Sequence, residues 1–408
     1  MAVGLGPLAT LLSVGGIRVG TTRAGVKVPD RRDLVIIEAS KGTIGAAVFT
    51  KNLFCAAPVQ IARNHLAAQA PRYLIVNTGY ANAGTGEQGM ADALAVCAAV
   101  AKQSDVPTES VLPFSTGVIG EPLPVARITA GVPKALAALS ADGWNEAAHG
   151  IMTTDTLPKG TSRQVKLNGA TVTVTGIAKG SGMICPNMAT MLAFVATDAA
   201  ISSKLLQLLL QDVTDQSFNC ITVDGDTSTN DACVLLATGQ AGNTPISSSD
   251  DASYAALRQA VFEVCEFLAQ AIVRDGEGAT KFMTVKVTGG ATRAECQQVA
   301  QTVANSPLVK TAFFASDPNW GRILAAVGRA GISDLVIDRV TVFLGDVCIV
   351  RNGARATDYT EQAGRKVMAQ TEITIHIDLA LARGQQNAHV WTCDFSYDYV
   401  KINAEYRS

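Results

Sequence analysis

The segment 179–194 carries the residues whose types and order are most suggestive of chemistry. It reads KGSGMICPNMATMLAF, so a loop rich in glycine, proline and asparagine leads to Ala189 and Thr190, and an apolar run follows at once. This order predicts a tight loop that delivers Thr190 to the first position of a buried strand. If the bond between Ala189 and Thr190 breaks, the threonine hydroxyl gains its own α-amine as a base. The alternative interpretation is a structural threonine in a buried strand.

A second segment, Pro113–Gly120, reads PFSTGVIG and places a hydroxyl beside a backbone amide. It follows the apolar residues Val111 and Leu112 and is predicted to be a loop. Acyl transfer requires hydrogen-bond donors directed at the oxyanion. Thr116, through its hydroxyl, and Gly117, through its N–H, are candidates for those donors. A simple turn is the alternative.

Two charged residues beside glycines are candidates for binding an amino acid. Lys179 begins the glycine-rich segment that leads to Thr190, and Glu277 lies between Gly276 and Gly278 after a long helical pattern. An ammonium and a carboxylate are suited to bind the carboxylate and the ammonium of such a substrate through charge-assisted hydrogen bonds. Each could instead be an ordinary solvated side chain.

No metal or nucleotide cofactor is expected. The oxygen-rich stretch Asp224–Asp231 lacks the spacing and the final glutamate of an EF-hand, so we interpret it as an Asx-rich turn that buttresses the site. The four histidines have no zinc-ligand spacing to a cysteine. The GxGxxG pattern at Gly84–Gly89 is separated from the preceding predicted strand, unlike a dinucleotide-binding turn.

Several segments resemble, in the same order, those of the ornithine acetyltransferase family. This family comprises the monofunctional and bifunctional glutamate N-acetyltransferases of arginine biosynthesis, and the resemblance extends over essentially the whole chain. The matching segments are Ser115–Gly120, Met152–Thr156, Lys179–Ala199, Asp224–Asp231, Gly276–Lys281, Asp317–Arg322 and Tyr399–Ser408.

The resemblance implies an enzyme that matures by cutting itself between Ala189 and Thr190. The products would be an alpha chain, 1–189, and a beta chain, 190–408, whose C-terminal α/β lobe covers about 280–408. The family also implies an α2β2 heterotetramer. Its fold is a layered α/β (α+β) structure, an αββα-type sandwich like that of DmpA, with two intimately paired lobes.

The implied reaction is ping-pong transfer of an acetyl group from N2-acetylornithine to glutamate through acetyl-Thr190, without a cofactor. The resemblance assigns Thr116 and Gly117 to the oxyanion hole. It assigns substrate binding to Thr153, Lys179, Thr190, Glu277, Asn403 and Ser408. Use of acetyl-CoA as a second donor and feedback inhibition stay open. Two alternatives also stay open: a related N-terminal-nucleophile amidohydrolase or aminopeptidase, and a non-catalytic amino-acid-binding protein.

Strand and helix patterns that could position these residues alternate along the chain. Strands are predicted at 34–37, 73–76, 191–196, 233–237, 282–287, 339–344, 348–351, 372–377 and 388–395. Helices are predicted at 89–102, 125–139 (disturbed by Pro133), 202–213 (capped by Ser202 or Ser203), 251–273, 295–304 and 322–330. A hairpin over 165–177 should turn at Asn168 and Gly169, and Asn352 and Gly353 form another turn signal.

Composition excludes several classes of partner. The 408 residues are 48% hydrophobic and 17% charged with a net charge of −2, and only 5% are aromatic, which argues against binding to nucleic acid or to an anionic membrane. No apolar run reaches the roughly 18 residues that span a bilayer. The start of the chain lacks a basic region, so no signal peptide is expected. Nine scattered cysteines without a CxxC pair predict mostly buried, reduced thiols in the cytoplasm.

Overall fold

The computed structural model describes residues 2–185, 191–381 and 384–405. The chain forms two compact units. The larger unit comprises Pro7–Asn219 and Asp226–Ile272, and the smaller comprises Met1–Gly6, Cys220–Gly225 and Val273–Ser408.

Nine strands and six helices make up the described part of the larger unit. The strands are β1 Ile17–Thr22, β2 Leu34–Ala39, β3 Ile44–Phe49, β4 Tyr73–Tyr80, β5 Val111–Val118, β6 Lys159–Leu167, β7 Ala170–Lys179, β8 Leu192–Thr197 and β9 Ala232–Ala237. The helices are α1 Ala57–Ala68, α2 Gly86–Ser104, α3 Val125–Ala137, α4 Trp144–Gly150, α5 Ser203–Gln216 and α6 Ala252–Arg274, the last ending in the smaller unit.

The larger unit has four layers. A four-stranded sheet in the order β1-β2-β4-β5 faces a five-stranded sheet in the order β3-β9-β8-β7-β6, and their inner faces share one core. Phe114 of β5 and Phe194 of β8 meet edge to face there, with ring centroids 5.1 Å apart. Helices α2 and α3 pack on the outer face of the first sheet. On the second sheet, α5 packs on β3 and β9, and Val264 of α6 lies against Gly176 of β7. The predicted αββα layering is therefore confirmed in this unit.

Hairpin β6–β7 turns at Asn168 and Gly169, both with positive φ (49° and 88°), as predicted.

In the five-stranded sheet, the end of β7 and the starts of β8 and β9 lie at the same edge. Strand β8 lies between β7 and β9. It pairs antiparallel with β7, where Leu192 is opposite Lys179, and parallel with β9, where Leu192 is beside Ala232. All six residues of both β8 and β9 are buried, because these central strands are covered on both faces.

The smaller unit is built on a six-stranded mixed sheet in the order β13-β12-β11-β14-β10-β15. Its strands are β10 Phe282–Gly290, β11 Thr341–Leu344, β12 Val347–Arg351, β13 Ala354–Arg355, β14 Glu372–Asp378 and β15 Gln386–Cys393. Its helices are α7 Arg293–Ala304, α8 Pro307–Phe314, α9 Trp320–Gly328, α10 Glu361–Met368 and α11 Tyr397–Ala404. Helix α7 begins with a capping box between Thr292 and Glu295 and packs on β10 and β15.

Most of the predicted strands and helices are present, with three instructive differences. Strand β5 extends to Val118, so Thr116 and Gly117 lie in a strand and not in the predicted loop, because parallel pairing with β4 continues to this point. Pro133 lies inside α3 without ending the helix. Ser202 is the N-cap residue of α5, but its side chain makes no capping hydrogen bond.

Further elements were not predicted because they are short or lack a clear hydrophobic period. They are β1, β3, β13, α1, α4, α8, α10, α11 and three short 3₁₀ turns at Thr108–Ser110, Phe218–Cys220 and Ile337–Arg339.

Two predictions from composition can be compared with the structure. Six of the nine cysteines are buried, in agreement with the sequence-based expectation. Within the described ranges, no helix combines the length and the apolar character needed to cross a membrane.

Candidate active site

The two facing sheets bring Thr116 and Lys179 into contact. Thr116 lies near the end of β5 in the first sheet, and Lys179 is the last residue of β7 in the second. The Lys179 Nζ donates a hydrogen bond of 3.1 Å to the Thr116 Oγ1. Thr116 is only 8% exposed. Because the hydroxyl oxygen accepts from an ammonium, its own hydrogen is left to donate to another acceptor.

Gly117 is required by the packing of the two strands. Its φ is +136°, and a Cβ on this residue would lie 2.2 Å from the carbonyl carbon of Gly79 in β4. A side chain would therefore push β4 and β5 apart. Strand packing alone is enough to explain the glycine, whether or not its N–H contacts a substrate.

Buried amides hold the backbone that leads to Thr116. The Asn230 Nδ2 donates to the carbonyl oxygens of Ala81 at 2.6 Å and Ser115 at 2.9 Å. The Ser115 Oγ donates to the Asn77 Oδ1 at 2.6 Å. These bonds agree with the interpretation of Asp224–Asp231 as a buttress. Among the residues that the structure describes, no group of three or more metal-ligating side chains is placed to hold a metal ion.

Asp155 is the centre of a buried ionic cluster. Its Oδ1 accepts from the Lys159 Nζ at 2.7 Å and from the Gly180 N–H at 2.7 Å, and its Oδ2 accepts from the Thr153 N–H at 2.9 Å. Both side chains of the ion pair are fully buried. Burial alone would raise the pKa of the Asp155 carboxyl, but the nearby Lys159 and Lys179 charges and these hydrogen bonds together lower it well below its usual value.

The same cluster fixes the backbone at Thr153. The Arg31 Nη2 donates to the Thr153 carbonyl oxygen at 3.0 Å and also to that of Met152. Thr153 is thus held by Arg31 through its carbonyl and by Asp155 through its amide. Because Asp155 also binds the Gly180 amide, it connects the segment at Thr153 to the end of β7, where Lys179 lies.

A second buried acid, Asp231, has the opposite electrostatic character. It precedes β9, and burial raises the pKa of its carboxyl well above the usual value. Hydrogen bonds from Ser228 and from the Met191 backbone, together with the Lys179 charge, only partly offset the effect of burial. The Lys179 charge therefore lowers the pKa of two acids, of which Asp155 has a pKa below the usual value and Asp231 a pKa above it. Such divergence of neighbouring acids is typical of active sites.

Replacing Asp155 with asparagine is expected to lower the free energy of unfolding by about 3–5 kcal/mol, because it removes the carboxylate charge that lies 2.7 Å from the buried Lys159 ammonium. Chemical denaturation followed by circular dichroism measures the loss. The half-exposed pair Arg163–Glu263 is the matched control, since Glu263→Gln should cost less than about 1 kcal/mol.

The stabilisation that Asp155 provides should depend on pH in a definite direction. The pKa of Asp155 is lower in the folded chain, so its stabilisation is present above the ordinary carboxyl pKa of about 3.9 and is lost as the pH falls below it. The difference between the Asp155→Asn variant and the unmodified chain should therefore shrink in acid. Equal losses for Asp155→Asn and Glu263→Gln at neutral pH would contradict this account.

Glu277 and Asn403 contact each other in the smaller unit. The Asn403 Nδ2, on α11, donates to the Glu277 Oε2 at 2.8 Å. Glu277 is 7% exposed. The adjacent Gly278 has a φ of +69°, and its carbonyl oxygen accepts a hydrogen bond of 2.6 Å from the Ser396 hydroxyl. The α11 segment near the chain end is thus bound to the Glu277 loop, although α11 itself has no buried residue.

The family of this chain is identified by its similarity to known proteins. The sequence model of the ArgJ family matches residues 18–408. The arginine biosynthesis bifunctional protein ArgJ of Pseudomonas fluorescens (strain Pf0-1) is 58% identical over 408 residues, which cover 100% of both chains. The chain belongs to the ArgJ family. The resemblance that the sequence motifs indicated is therefore confirmed.

Two more members of the ArgJ family support this assignment. The protein of the same name from Psychrobacter arcticus (strain DSM 17307 / VKM B-2377 / 273-4) is 59% identical over 399 residues, 98% of each chain. The crystal structure of arginine biosynthesis bifunctional protein ArgJ from Bacillus halodurans aligns with a TM-score of 0.50 and 39% identity. It covers 53% of this chain and 99% of the Bacillus chain.

The residues expected from the ArgJ-family resemblance are not all described by the structure. Ala189, Thr190 and Ser408 lie outside the described residues. Thr116, Gly117, Thr153 and Lys179 are associated within the larger unit by the contacts above. Glu277 and Asn403 are associated within the smaller unit. Their roles in binding and catalysis remain predictions.

Sequence reasoning missed Asp155, Lys159 and Asp231. Asp155 lies within the family-like segment Met152–Thr156, and Lys159 follows it by four residues, so the pair could have been suspected. Asp231 closes the acidic stretch that we interpreted as a turn. Burial distinguishes these acids from surface acids, and burial depends on the packing of the sheets.

Proposed function

We propose that this chain is a self-cleaving N-acetyltransferase of arginine biosynthesis, which moves an acetyl group from N2-acetylornithine to glutamate. The observation that carries the proposal is the Lys179–Thr116 contact in a chain that belongs to the ArgJ family. This contact places the Thr116 hydroxyl beside Lys179, which pairs with Leu192 at the start of the strand that follows Thr190. The name of the relatives places them in arginine biosynthesis, which supports the choice of pathway.

Maturation begins when the Thr190 Oγ attacks the Ala189 carbonyl carbon. The carbon–nitrogen bond breaks, an ester replaces the peptide bond, and the nitrogen of Thr190 is released as an amine. Water then hydrolyses the ester and restores the hydroxyl. Cleavage leaves 219 residues (408 − 189) after Ala189, slightly over half the chain. The Bacillus halodurans chain aligns over 99% of its own length but covers only 53% of this chain. A separate chain of about that length supports such a division.

Acetyl transfer then uses the new chain end. The α-amine of a terminal residue has a reference pKa of about 7.7–8.0, so a useful fraction is neutral near neutral pH and can accept the proton of the Thr190 hydroxyl. The oxygen attacks the acetyl carbonyl of N2-acetylornithine, and ornithine leaves. Glutamate then attacks acetyl-Thr190 and takes the acetyl group, so the hydroxyl is regenerated. The Thr116 hydroxyl and the Gly117 N–H stabilise the oxyanion of both steps.

Two charged side chains are each assigned one charged group of the amino-acid substrate. We assign the substrate ammonium to Glu277, whose orientation is set by Asn403. We assign the substrate carboxylate to Lys179, because its ammonium carries the opposite charge and lies beside Thr116, a candidate oxyanion donor. Thr153 is a further binding residue, held in place by Asp155 and Arg31. Ser408 completes the set.

Replacing Glu277 with glutamine should raise KM for N2-acetylornithine about 10- to 100-fold, because a charge-assisted hydrogen bond is worth about 1.5–3 kcal/mol. Steady-state kinetics at saturating glutamate measure the change. The matched control is Glu372→Gln in the same unit, an exposed acid paired with Arg274, which should leave KM unchanged. An unchanged KM in Glu277→Gln would remove this residue from substrate binding.

Two further features belong to the proposal. Their name describes a bifunctional protein, which supports acetyl-CoA as a second acetyl donor. We also propose an α2β2 assembly of the two chains in the cytoplasm. Acetylation of glutamate by acetyl-CoA alone, in the absence of N2-acetylornithine, is the direct assay for the second donor.

The function is tested by two measurements on one purified sample. The denatured mass should show two chains that sum to 42.5 kDa plus one water, the larger beginning Thr190-Met191-Leu192. Incubation with acetyl-labelled N2-acetylornithine should then label glutamate. Free labelled acetate formed without glutamate would favour the amidohydrolase alternative. An intact chain without acetyl transfer would favour the amino-acid-binding alternative.

A further inference from the structure

Asp231 is a buried acid to which the proposed reaction assigns no role. It is 2% exposed, and its Oδ2 atom has no hydrogen-bond partner among the described residues. A buried polar atom without a partner costs about 1–3 kcal/mol, so an aspartate at this position needs an explanation. The backbone of Met191, which hydrogen-bonds to the Asp231 carboxyl, suggests one.

Those atoms belong to the first described residue after the proposed cleavage site. The Ala232 N–H donates to the Met191 carbonyl oxygen at 3.0 Å, and the Met191 N–H hydrogen-bonds to the Asp231 carboxyl. The backbone at the start of β9 and the side chain of Asp231 thus bind both polar groups of the Met191 backbone. Met191 is bonded directly to Thr190, so whatever fixes its peptide plane also restricts the position of Thr190.

The other side of Met191 is confined as well. A Cβ on Gly180, at the end of β7, would lie 3.5 Å from the Met191 Cβ. Gly180 is itself bound to the buried Asp155 through its N–H. Met191 therefore lies between a segment held by Asp155 and a segment that contains Asp231.

We propose that Asp231 is a positioning residue that holds Met191, and through it the nucleophile Thr190, in the orientation needed for attack on the Ala189 carbonyl. This inference rests on the proposed function, since it presupposes cleavage between Ala189 and Thr190. A displacement of about 1 Å in reacting groups can lower a rate 10²-fold, so such a restraint has a large kinetic effect.

Burial of the Asp231 carboxyl favours its uncharged form. Burial raises the pKa of the Asp231 carboxyl well above its usual value, and the Lys179 charge does not restore it. An uncharged carboxylic acid has one acceptor oxygen for the Met191 N–H and one O–H donor. Asparagine has the same shape, an acceptor and a donor, and no charge. It should therefore replace Asp231, whereas alanine should not.

The test compares the rate of cleavage at 189–190 in Asp231→Asn, Asp231→Ala and the unmodified chain, followed by mass from the time of synthesis in a cell-free system. We expect Asp231→Asn to cleave within about threefold of the unmodified rate. We expect Asp231→Ala to cleave at least about tenfold more slowly while remaining folded by circular dichroism. If Asp231→Ala does not fold, Asp231→Ser takes its place, because a serine hydroxyl is too short to reach the Met191 N–H in the same geometry.

A matched control separates positioning from general stability. Asp198 follows the opposite end of β8, and its Oδ1 accepts from the Thr173 N–H at 2.8 Å. Like Asp231 it is a buried acid that binds a backbone amide. Asp198→Ala should lower stability without slowing cleavage of the folded chain.

The outcomes are distinct. Cleavage of Asp231→Ala at the unmodified rate, or equal slowing in Asp231→Asn and Asp231→Ala, would overturn the inference while leaving the proposed function intact. Equal slowing by Asp198→Ala and Asp231→Ala would overturn it too, by reducing the effect to stability. An unmodified chain that never cleaves would overturn the proposed function itself.

Discussion

Replacing Thr190 with alanine is expected to give an intact 42.5 kDa chain without acetyltransferase activity. The hydroxyl oxygen that would attack the Ala189 carbonyl is absent, so no ester can form and no α-amine can be released. The same atom would carry the acetyl group, so both maturation and turnover disappear together. We expect a fall of at least about 10⁴-fold, comparable to the loss of other catalytic nucleophiles.

Mass spectrometry of the denatured protein and an acetyl transfer assay measure the two effects. The control is Thr190→Ser, which keeps a hydroxyl on the same carbon framework and should retain cleavage and measurable transfer. Transfer at the unmodified rate by Thr190→Ala would show that Thr190 is only a strand residue. Complete cleavage of Thr190→Ala would exclude its hydroxyl from maturation.

Replacing Thr116 with alanine should lower kcat for acetyl transfer about 10²–10³-fold, the usual effect of losing one oxyanion donor. The hydroxyl accepts from Lys179 at 3.1 Å, which leaves its own hydrogen for the oxyanion. KM should change much less, because the oxyanion forms only in the transition state. A threefold change or less in kcat would contradict the assignment.

The neighbouring residue provides the control for Thr116. Ser115 lies one position earlier in β5, and its hydroxyl donates to Asn77 at 2.6 Å. Ser115→Ala should cost about 0.5–1.5 kcal/mol of stability and leave kcat nearly unchanged. Thr116→Ser, which preserves the donor, should recover most of the activity. Equal losses of kcat in Ser115→Ala and Thr116→Ala would indicate a distorted strand, with no special role for the Thr116 hydroxyl.

The sequence by itself was sufficient to predict the family and most of the secondary structure. Long runs such as 251–273 and 372–377 show a clear helical or strand pattern, and the helix α6 and strand β14 are found there. The segments around Thr116, Lys179 and Glu277 combine glycines with hydroxyl or charged side chains. Such a local pattern can be recognised without knowing which strands and helices are neighbours in the fold.

Only the tertiary structure decided how the candidate site is organised. Lys179 meets Thr116 although 63 residues separate them, because two sheets pack face to face. Local patterns contain no record of that packing, and for the same reason the strand conformation of Thr116 and Gly117, set by pairing with β4, was mistaken for a loop.

The electrostatic character of the two acids was likewise decided by tertiary structure. In the sequence, Asp155 and Asp231 are both aspartates in polar surroundings. In the folded chain, Asp155 is paired with Lys159 and its pKa is lowered, whereas Asp231 is buried next to Met191 and its pKa is raised. The protonation state of a carboxyl group depends on its desolvation and on the charges around it, and both are determined by distant parts of the chain.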